Sequence, residues 1–245
     1  MKKILSFAFV LLSALVLTGC DEHEPVDMDI HVGYILCDDG RIISEQVFDN
    51  GHYTPVGVVF APKTEDHEVL VVMLKEYYNL QFATKLAFDQ GTSCDDAAYD
   101  GYLNTVALQA AVESYEVEVQ VDDSTVVTET EYDYSPLADR AFSSHYFWQS
   151  DYVPSVAEMG LLYLAKDAVN PVLEKCGGDP LVTEPGRPGV WHGQSCWYWT
   201  STEVKENRGN QAWLFSMADG SRHRTPKTNS YNMRLVVEYN PLNVK

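Results

Sequence analysis

Beyond its first twenty residues, the chain carries its apolar side chains in short runs, and this pattern limits the folds open to it. Residues 30–37, 56–60 and 69–74 are such runs, and turn or loop residues such as Asp38-Asp39-Gly40 follow them. Valine-rich runs of this length are typical of buried strands rather than of helices. The segment 30–78 is therefore predicted to be a small β-rich unit.

The last third of the chain returns to the same pattern. Strands are predicted at residues 197–201, 212–217, 222–225 and 231–239, with a turn at 218–221. Large aromatic side chains occur in these strands, and Trp197, Tyr198, Trp199 and Trp213 are expected to supply buried area. Antiparallel hairpins are the expected arrangement.

Helix signals are confined to the middle of the chain. Ser155 and Glu158 have the spacing of a capping box, and an apolar stripe follows them. A shorter helix is expected to begin at Asn104 or Thr105. Pro171 after Asn170 is expected to begin a further short helix. Helices and strands together predict an α+β protein.

An acidic hairpin is predicted at about residues 115–133. Val117, Val119 and Val121 alternate with polar residues, a turn follows, and the chain returns as a second strand. Residues 113–133 contain eight acids and no base. The hairpin is either a cation-binding surface or a solvated face, and charge runs of this kind are usually solvated.

The N-terminus carries an export signal. Lys2 and Lys3 precede an apolar run over residues 4–17, which is shorter than the roughly 20 residues of a membrane-spanning helix and fits a secretory signal. The run ends in Leu17-Thr18-Gly19-Cys20, which resembles the lipobox of bacterial lipoproteins. The resemblance implies that residues 1–19 are removed and that Cys20 carries lipid. It also implies a protein that is anchored to a membrane by lipid and does not span it. The expected location is the outer membrane, and exposure at the cell surface is expected from the acidic run that follows Cys20.

Residues 20–29 are predicted to form an acidic tether. The run Asp21-Glu22-His23-Glu24 resembles the surface-export signal of lipoproteins in some Gram-negative groups. A solvated linker that happens to be acidic explains the run equally well.

The net charge excludes one class of partner. The full chain has 36 acidic and 17 basic side chains, a charge of −19. Removal of residues 1–19 takes away Lys2 and Lys3 but no acid, so the mature charge is −21. A chain this acidic has no general attraction for phosphate backbones, and no nucleic-acid partner is predicted.

Four cysteines remain after lipidation of Cys20, and an exported protein meets conditions in which disulfides persist. Four cysteines allow three pairings. Cys176 and Cys196 flank one loop rich in proline and glycine, and they are the preferred pair.

Local patterns follow one another in a fixed order over about residues 100–239. They are Gly101-Tyr102-Leu103-Asn104-Thr105, Tyr152-Val153-Pro154-Ser155-Val156-Ala157-Glu158-Met159, Trp199-Thr200-Ser201-Thr202-Glu203, Ala212-Trp213, Asp219-Gly220 and Met233-Arg234-Leu235-Val236. The ordered set resembles the C-terminal domain of collagen-like bacterial adhesins (the Lcl C-terminal type), which also occurs in surface lipoproteins. Tyr152 and Val153 stand where that family has its own aromatic residue and leucine.

This resemblance implies a C-type-lectin-like fold, also seen in formylglycine-generating enzymes, and a role in binding and adhesion. The expected architecture is short helices around a twisted antiparallel sheet over residues 79–245, with the acidic hairpin as an insertion and the β-rich segment 30–78 before it. Arg234, among apolar neighbours, is expected to pair with Glu158 or Glu203.

Basic residues cluster near the C-terminus. Residues 205–234 contain six bases and two acids, and Arg222 and Arg224, two apart in a strand, project from one face. Bases, amides and a tyrosine on one surface predict a site for an acidic glycan, or for a host or neighbouring protein. A soluble loop surface with local salt bridges is the alternative. The candidate ligand-binding residues are Arg208, Asn210, Arg222, Arg224, Lys227, Asn229, Tyr231 and Asn232.

No catalytic residue, metal site or cofactor is predicted from the sequence. The seven histidines include no His-Glu-x-x-His pair, and the cysteines include no Cys-x-x-Cys. The leading hypothesis is a lipid-anchored adhesion protein with a lectin-like binding domain. A structural or accessory subunit of a surface fibre, which a long unpaired edge strand in residues 30–78 would favour, is the second. An enzyme of the formylglycine-generating type, which a reactive Cys176/Cys196 pair would favour, is the third.

Overall fold

A computed structural model of the chain describes residues 29–143, 145–146, 149–184 and 196–240. Its helices are α1 (Gly101–Ala110), α2 (Pro136–Phe142) and α3 (Val156–Lys175). Its strands are β1 (Ile35–Cys37), β2 (Ile42–Ile43), β3 (Pro55–Ala61), β4 (Val69–Gln81), β5 (Glu113–Asp122), β6 (Thr125–Asp133), β7 (His145–Tyr146), β8 (Gln149–Ser150), β9 (Trp197–Glu203), β10 (Gln211–Ser216), β11 (Arg222–Pro226) and β12 (Ser230–Tyr239).

One eight-stranded sheet organises the fold, in the order β11-β10-β9-β12-β4-β3-β1-β2. Every neighbouring pair is antiparallel except β12 and β9, which meet in parallel at Asn232 and Tyr198. The α+β class predicted from the sequence is confirmed. The β-rich segment 30–78 belongs to the same sheet as the C-terminal strands, and the expected boundary after residue 78 falls inside β4.

Alternate residues of the central strands build a core on each face of the sheet. Leu70, Val72 and Val236 pack with helix α3, while Val71 and Leu235 pack with α1 and α2. This division follows from the strand geometry, because successive side chains point to opposite faces. Both faces are covered by helices, which explains why β3 and β4 have long apolar runs instead of an alternation of polar and apolar residues.

The predicted strands of the last third and the acidic hairpin are confirmed. β9 to β12 each lie within two residues of the expected bounds. β5 and β6 form a separate two-stranded sheet. Tyr198 and Trp199 are fully buried as expected, whereas Trp197 and Trp213 are half-buried.

Helix α3 begins at the predicted capping box. Ser155 Oγ accepts the Glu158 amide at 3.3 Å, and Glu158 Oε2 accepts the Ser155 amide at 2.6 Å. The expectation of a second helix beginning at Pro171 was wrong, because α3 continues through this residue to Lys175. The apolar stripe of Val169, Val172 and Leu173 packs into the core and holds the helix together beyond the proline.

Helix α1 begins earlier than the sequence suggests. Asp100 is the N-cap residue, and the expected caps Asn104 and Thr105 lie inside the helix. Their side chains serve neighbouring segments: Asn104 Oδ1 accepts the Ser93 amide at 2.7 Å, and Thr105 Oγ1 accepts the Val153 amide at 3.0 Å. Side chains that usually cap helices here tie α1 to the loops beside it.

The lipidation site Cys20, the signal peptide and nearly all of the tether lie outside the described residues. Among the helices that the structure describes, none is long and apolar enough to cross a membrane.

Candidate functional site

Two predicted ligand-binding residues, Lys227 and Asn232, are fully buried. Lys227 Nζ contacts the Glu203 carboxylate and donates to the Phe88 carbonyl at 2.7 Å. Burial lowers the pKa of Lys227, against the opposing effect of Glu203. Asn232 Nδ2 donates to Glu76 Oε1 at 3.1 Å. The assignment of both residues to a ligand site was wrong, because their polar groups already serve the interior of the fold.

Arg208 and Asn210 connect the chain after β9 to the segment that precedes α1. Arg208 Nη2 donates to the Thr92 carbonyl at 2.8 Å and lies 3.3 Å from the Asp89 carboxylate. Asn210 Oδ1 accepts the Ala87 amide at 3.0 Å. These contacts join segments that are far apart in sequence, and they give both residues a structural role.

Asn229 and Tyr231 are also occupied by contacts within the fold. Asn229 Nδ2 donates to Thr225 Oγ1 at 2.9 Å across the β11–β12 connection. The Tyr231 ring lies edge-on to the buried Trp199, with 5.6 Å between the ring centroids. The broad basic surface expected over residues 205–234 is therefore divided, and only part of it faces solvent.

Arg222 and Arg224 keep the arrangement predicted for them. Both are exposed on strand β11, and the two guanidinium carbons lie 5.6 and 4.9 Å from the centre of the Trp213 ring. The register of β10 and β11 explains this, because Trp213 lies directly opposite Arg224 and diagonal to Arg222. At these distances both guanidinium groups interact favourably with the aromatic ring.

Each of these arginines has a carboxylate partner. Arg222 Nη1 contacts Asp96 Oδ2, and Arg224 Nη1 lies 3.3 Å from Glu206 Oε2. All four side chains are substantially exposed, so the ion pairs contribute little to stability. The pairs nevertheless present donors and acceptors side by side around Trp213.

These residues surround an open cleft of about 490 Å³ beside strand β11 at the edge of the sheet. The segment before α1 supplies one wall, the short helical turn Lys205–Asn207 supplies another, and β10 and β11 supply the floor. Burial raises the pKa of the Cys94 thiol in the wall. The cleft is lined by Cys94, Asp95, Asp96, Lys205, Glu206, Trp213 and Arg224.

Formal charges in the cleft are balanced. Its lining residues and Arg222 together supply three acids and three bases. The cleft therefore differs from the cationic surface that the sequence predicts, although Arg224 lines it and Arg222 lies beside it, paired with Asp96 of its wall.

Sequence reasoning missed the part that Trp213, Asp96 and Glu206 play here. The turn at residues 218–221 was a usable signal for Trp213, since it sets the register of β10 against β11. Asp96 had no such signal, because its contact with Arg222 spans 126 residues.

A second, smaller cleft of about 260 Å³ lies at the base of the hairpin, between α1 and α2. Its lining is mostly apolar and aromatic, and Tyr132 is 57% exposed. The lining residues are Leu108, Gln109, Val112, Tyr132, Tyr134, Ser135 and Asp139.

The expected Cys176–Cys196 disulfide is absent from the structure, in which both residues are free thiols. Cys176 ends helix α3, and burial, with a further contribution from the charge of Cys37, raises its pKa to about 11. Cys196 Sγ lies 3.9 Å from Ser216 Oγ. The two thiols thus have different surroundings, and neither lines one of the two clefts.

Comparison with known protein families and with curated proteins finds no match to this chain. Within the described residues, no group of three or more His, Cys, Asp or Glu side chains is placed to hold a metal ion.

Proposed function

We propose that the protein is a lipid-anchored cell-surface binding protein whose C-type-lectin-like domain binds its ligand in the Trp213 cleft. One observation carries this proposal: Trp213 and Arg224 line an open cleft at the sheet edge, Arg222 lies beside the same ring, and each arginine is paired with a carboxylate. Five of the seven residues that line the cleft are charged, so it offers many hydrogen-bonding groups around one aromatic ring and suits a polar ligand.

An uncharged saccharide is the ligand class that this cleft favours. A sugar ring offers an apolar face to an aromatic side chain, and its hydroxyls both donate and accept hydrogen bonds. The paired Arg222–Asp96 and Arg224–Glu206 groups supply both kinds of partner. An acidic glycan would have to displace Asp96 or Glu206 and approach a domain of high negative charge.

A fibre subunit is less well supported than a binding protein. The edge strand that residues 30–78 contribute to the large sheet is β2, Ile42–Ile43, which is two residues long. Short edge strands are poor templates for the addition of another chain. The longer strands β3 and β4 lie inside the sheet, where both of their edges are paired.

A formylglycine-generating activity is also less well supported. It would need a reactive cysteine pair beside a pocket, and Cys176 and Cys196 are both buried. A thiol with a pKa near 11 remains protonated at neutral pH, and the thiolate is the reactive form. We therefore propose a binding role and not an enzymatic one.

The proposed anchor is tested by Cys20→Ala. We expect this variant to accumulate as the unprocessed precursor and to lose incorporation of a lipid probe, because the lipid is attached at Cys20 Sγ. Normal processing and membrane association of the variant would contradict lipidation.

The proposed ligand class is tested on an array that carries neutral, sialylated and sulfated glycans, probed at two salt concentrations. We expect signals on neutral glycans that change little with salt, since no net charge is neutralised on binding. Signals confined to acidic glycans and lost at high salt would replace the neutral ligand by an acidic one. Absence of any glycan signal would leave a protein ligand as the alternative.

A further inference from the structure

The hairpin formed by β5 and β6 carries most of its apolar side chains on one face. Tyr115, Val117 and Val119 alternate with polar residues along β5, and Val127 lies opposite Val119 on β6. The opposite face carries Ser114, Glu116, Glu118, Gln120, Thr128 and Thr130, together with the exposed side chains of Val126 and Tyr132. We call the apolar side the valine face; it consists of Tyr115, Val117, Val119 and Val127, with Glu129 and Glu131 beside them.

The valine face is covered only in part by the described residues, and Val117, Val119 and Val127 are half-buried. None of its four apolar side chains packs with either core of the protein, and Tyr115 is 42% exposed. The two strands contact mainly each other, and Lys85 ties the base of the hairpin through Glu113 and Asp133. Two-stranded hairpins are marginally stable alone in water, so this amphipathic arm gains stability when its apolar face is covered.

The charge of the hairpin indicates what covers it. Its two strands and turn hold eight acids and no base. Two copies of the hairpin face to face would bring sixteen carboxylates together, which disfavours a second copy of this chain. A surface that combines apolar and basic side chains matches both the valines and the adjacent Glu129 and Glu131.

We propose that the valine face is a docking surface for a basic, amphipathic segment of a partner protein. The apolar side of that segment covers Val117, Val119 and Val127, and its Lys or Arg side chains pair with Glu129 and Glu131. Exposed apolar surface with a charged rim is the usual composition of such an interaction site. This surface is separate from the Trp213 cleft and does not depend on the saccharide proposal.

The probe is an amphipathic peptide of leucine and lysine, compared with a scrambled isomer of the same composition. Binding to the full chain is measured by fluorescence anisotropy. We expect the amphipathic peptide to bind more tightly than its isomer, and Val119→Thr/Val127→Thr to weaken binding by about tenfold or more, since two hydroxyls are then buried without partners. Threonine keeps the β-branched shape, so the hairpin is retained.

Two double variants test whether peptide binding depends on the valine face or only on the net charge of the hairpin. Glu129→Gln/Glu131→Gln and Glu116→Gln/Glu118→Gln change the net charge equally but lie on opposite faces. The first should weaken peptide binding several-fold and the second much less. The proposal fails if both pairs weaken binding equally, if the two isomers bind equally, or if neither binds. It also fails if the chain forms a dimer that Val119→Thr/Val127→Thr abolishes, since a second copy is then the occupant.

Discussion

Arg234 Nη1 lies 3.4 Å from Glu76 Oε2 across the central strand pair β12–β4, and both side chains are fully buried. The Glu76 carboxylate also accepts a hydrogen bond from the Tyr198 hydroxyl at 2.9 Å. Strands β4, β9 and β12 therefore meet at one buried carboxylate. The sequence predicted Glu158 or Glu203 as the partner of Arg234, and this was wrong. The Glu158 carboxylate instead accepts the Ser155 amide in the cap of α3, and the Glu203 carboxylate pairs with Lys227.

Removal of Arg234 should be strongly destabilising, because it leaves Glu76 buried without its counter-charge. We expect Arg234→Met to lower the free energy of unfolding by about 3–5 kcal/mol at pH 8. Burial raises the pKa of Glu76 to about 7, so the loss should be smaller at pH 5, where the carboxyl is protonated. Urea unfolding at the two pH values measures both effects.

The double variant Glu76→Gln/Arg234→Met is the control for this pair. It should lose less stability than the two single variants together, because residues in direct contact are energetically coupled. Additive losses would show that the pair does not act as a unit.

Gly101 is the position where α1 comes closest to the cap of α3. A Cβ at this position would lie 2.2 Å from Glu158 Oε2 and 2.8 Å from the Ser155 amide nitrogen. Gly101→Ala should therefore destabilise the protein by about 1–3 kcal/mol. Gly160 lies inside α3, and a Cβ there would have no described atom within 4 Å other than its chain neighbours and the backbone of its own helix. Gly160→Ala should therefore stabilise the protein by about 0.5–1 kcal/mol. Equal stability of the two variants in urea unfolding would refute the close packing at Gly101.

Asp151 should make stability fall as pH rises. Its side chain is 1% exposed, its Oδ1 has no hydrogen-bond partner among the described residues, and burial raises its pKa to about 7. Between the usual pKa near 4 and this value, the folded state holds a proton that the unfolded state has lost. The stability contributed by protonated Asp151 is therefore complete below about pH 4 and is lost as pH approaches 7, by up to about 4 kcal/mol.

Asp151→Asn removes this titration and keeps the size of the side chain. The measured quantity is the difference in unfolding free energy between the variant and the wild type from pH 4 to pH 8. We expect the variant to gain relative stability as pH rises. A difference that does not change with pH would contradict the burial of Asp151 and its raised pKa.

Local patterns in the sequence were sufficient to predict much of this fold. The alternation in β5 and the Ser155–Glu158 spacing each depend on neighbouring residues, and the structure confirms both. Pro171 shows where local rules fail, because the packing of Val172 and Leu173 against the sheet carries α3 past it. Propensity is a weak guide where tertiary packing opposes it.

Sequence reasoning could not tell which basic residues of the C-terminal stretch are buried, because burial depends on the three-dimensional fold. Lys227 and Arg224 are both basic residues in one C-terminal stretch, yet Lys227 is fully buried and Arg224 is exposed. The difference comes from Glu203, whose buried carboxylate pairs with the Lys227 ammonium group. Glu203 is not a neighbour of Lys227 in the sequence, so no local pattern indicates this pair. Arg222 and Arg224 could be predicted to share a face, because that relation depends only on the two-residue period of a strand.

The proposed role of Trp213 is tested by titration calorimetry with the neutral glycan that gives the strongest array signal. The wild type is compared with Trp213→Ala and with Tyr132→Ala, which removes an exposed aromatic side chain from the second cleft. We expect Trp213→Ala to bind about tenfold more weakly or worse, since stacking on the ring is lost, and Tyr132→Ala to bind as the wild type does. Wild-type affinity in a folded Trp213→Ala variant would contradict the assignment of the ligand to this cleft.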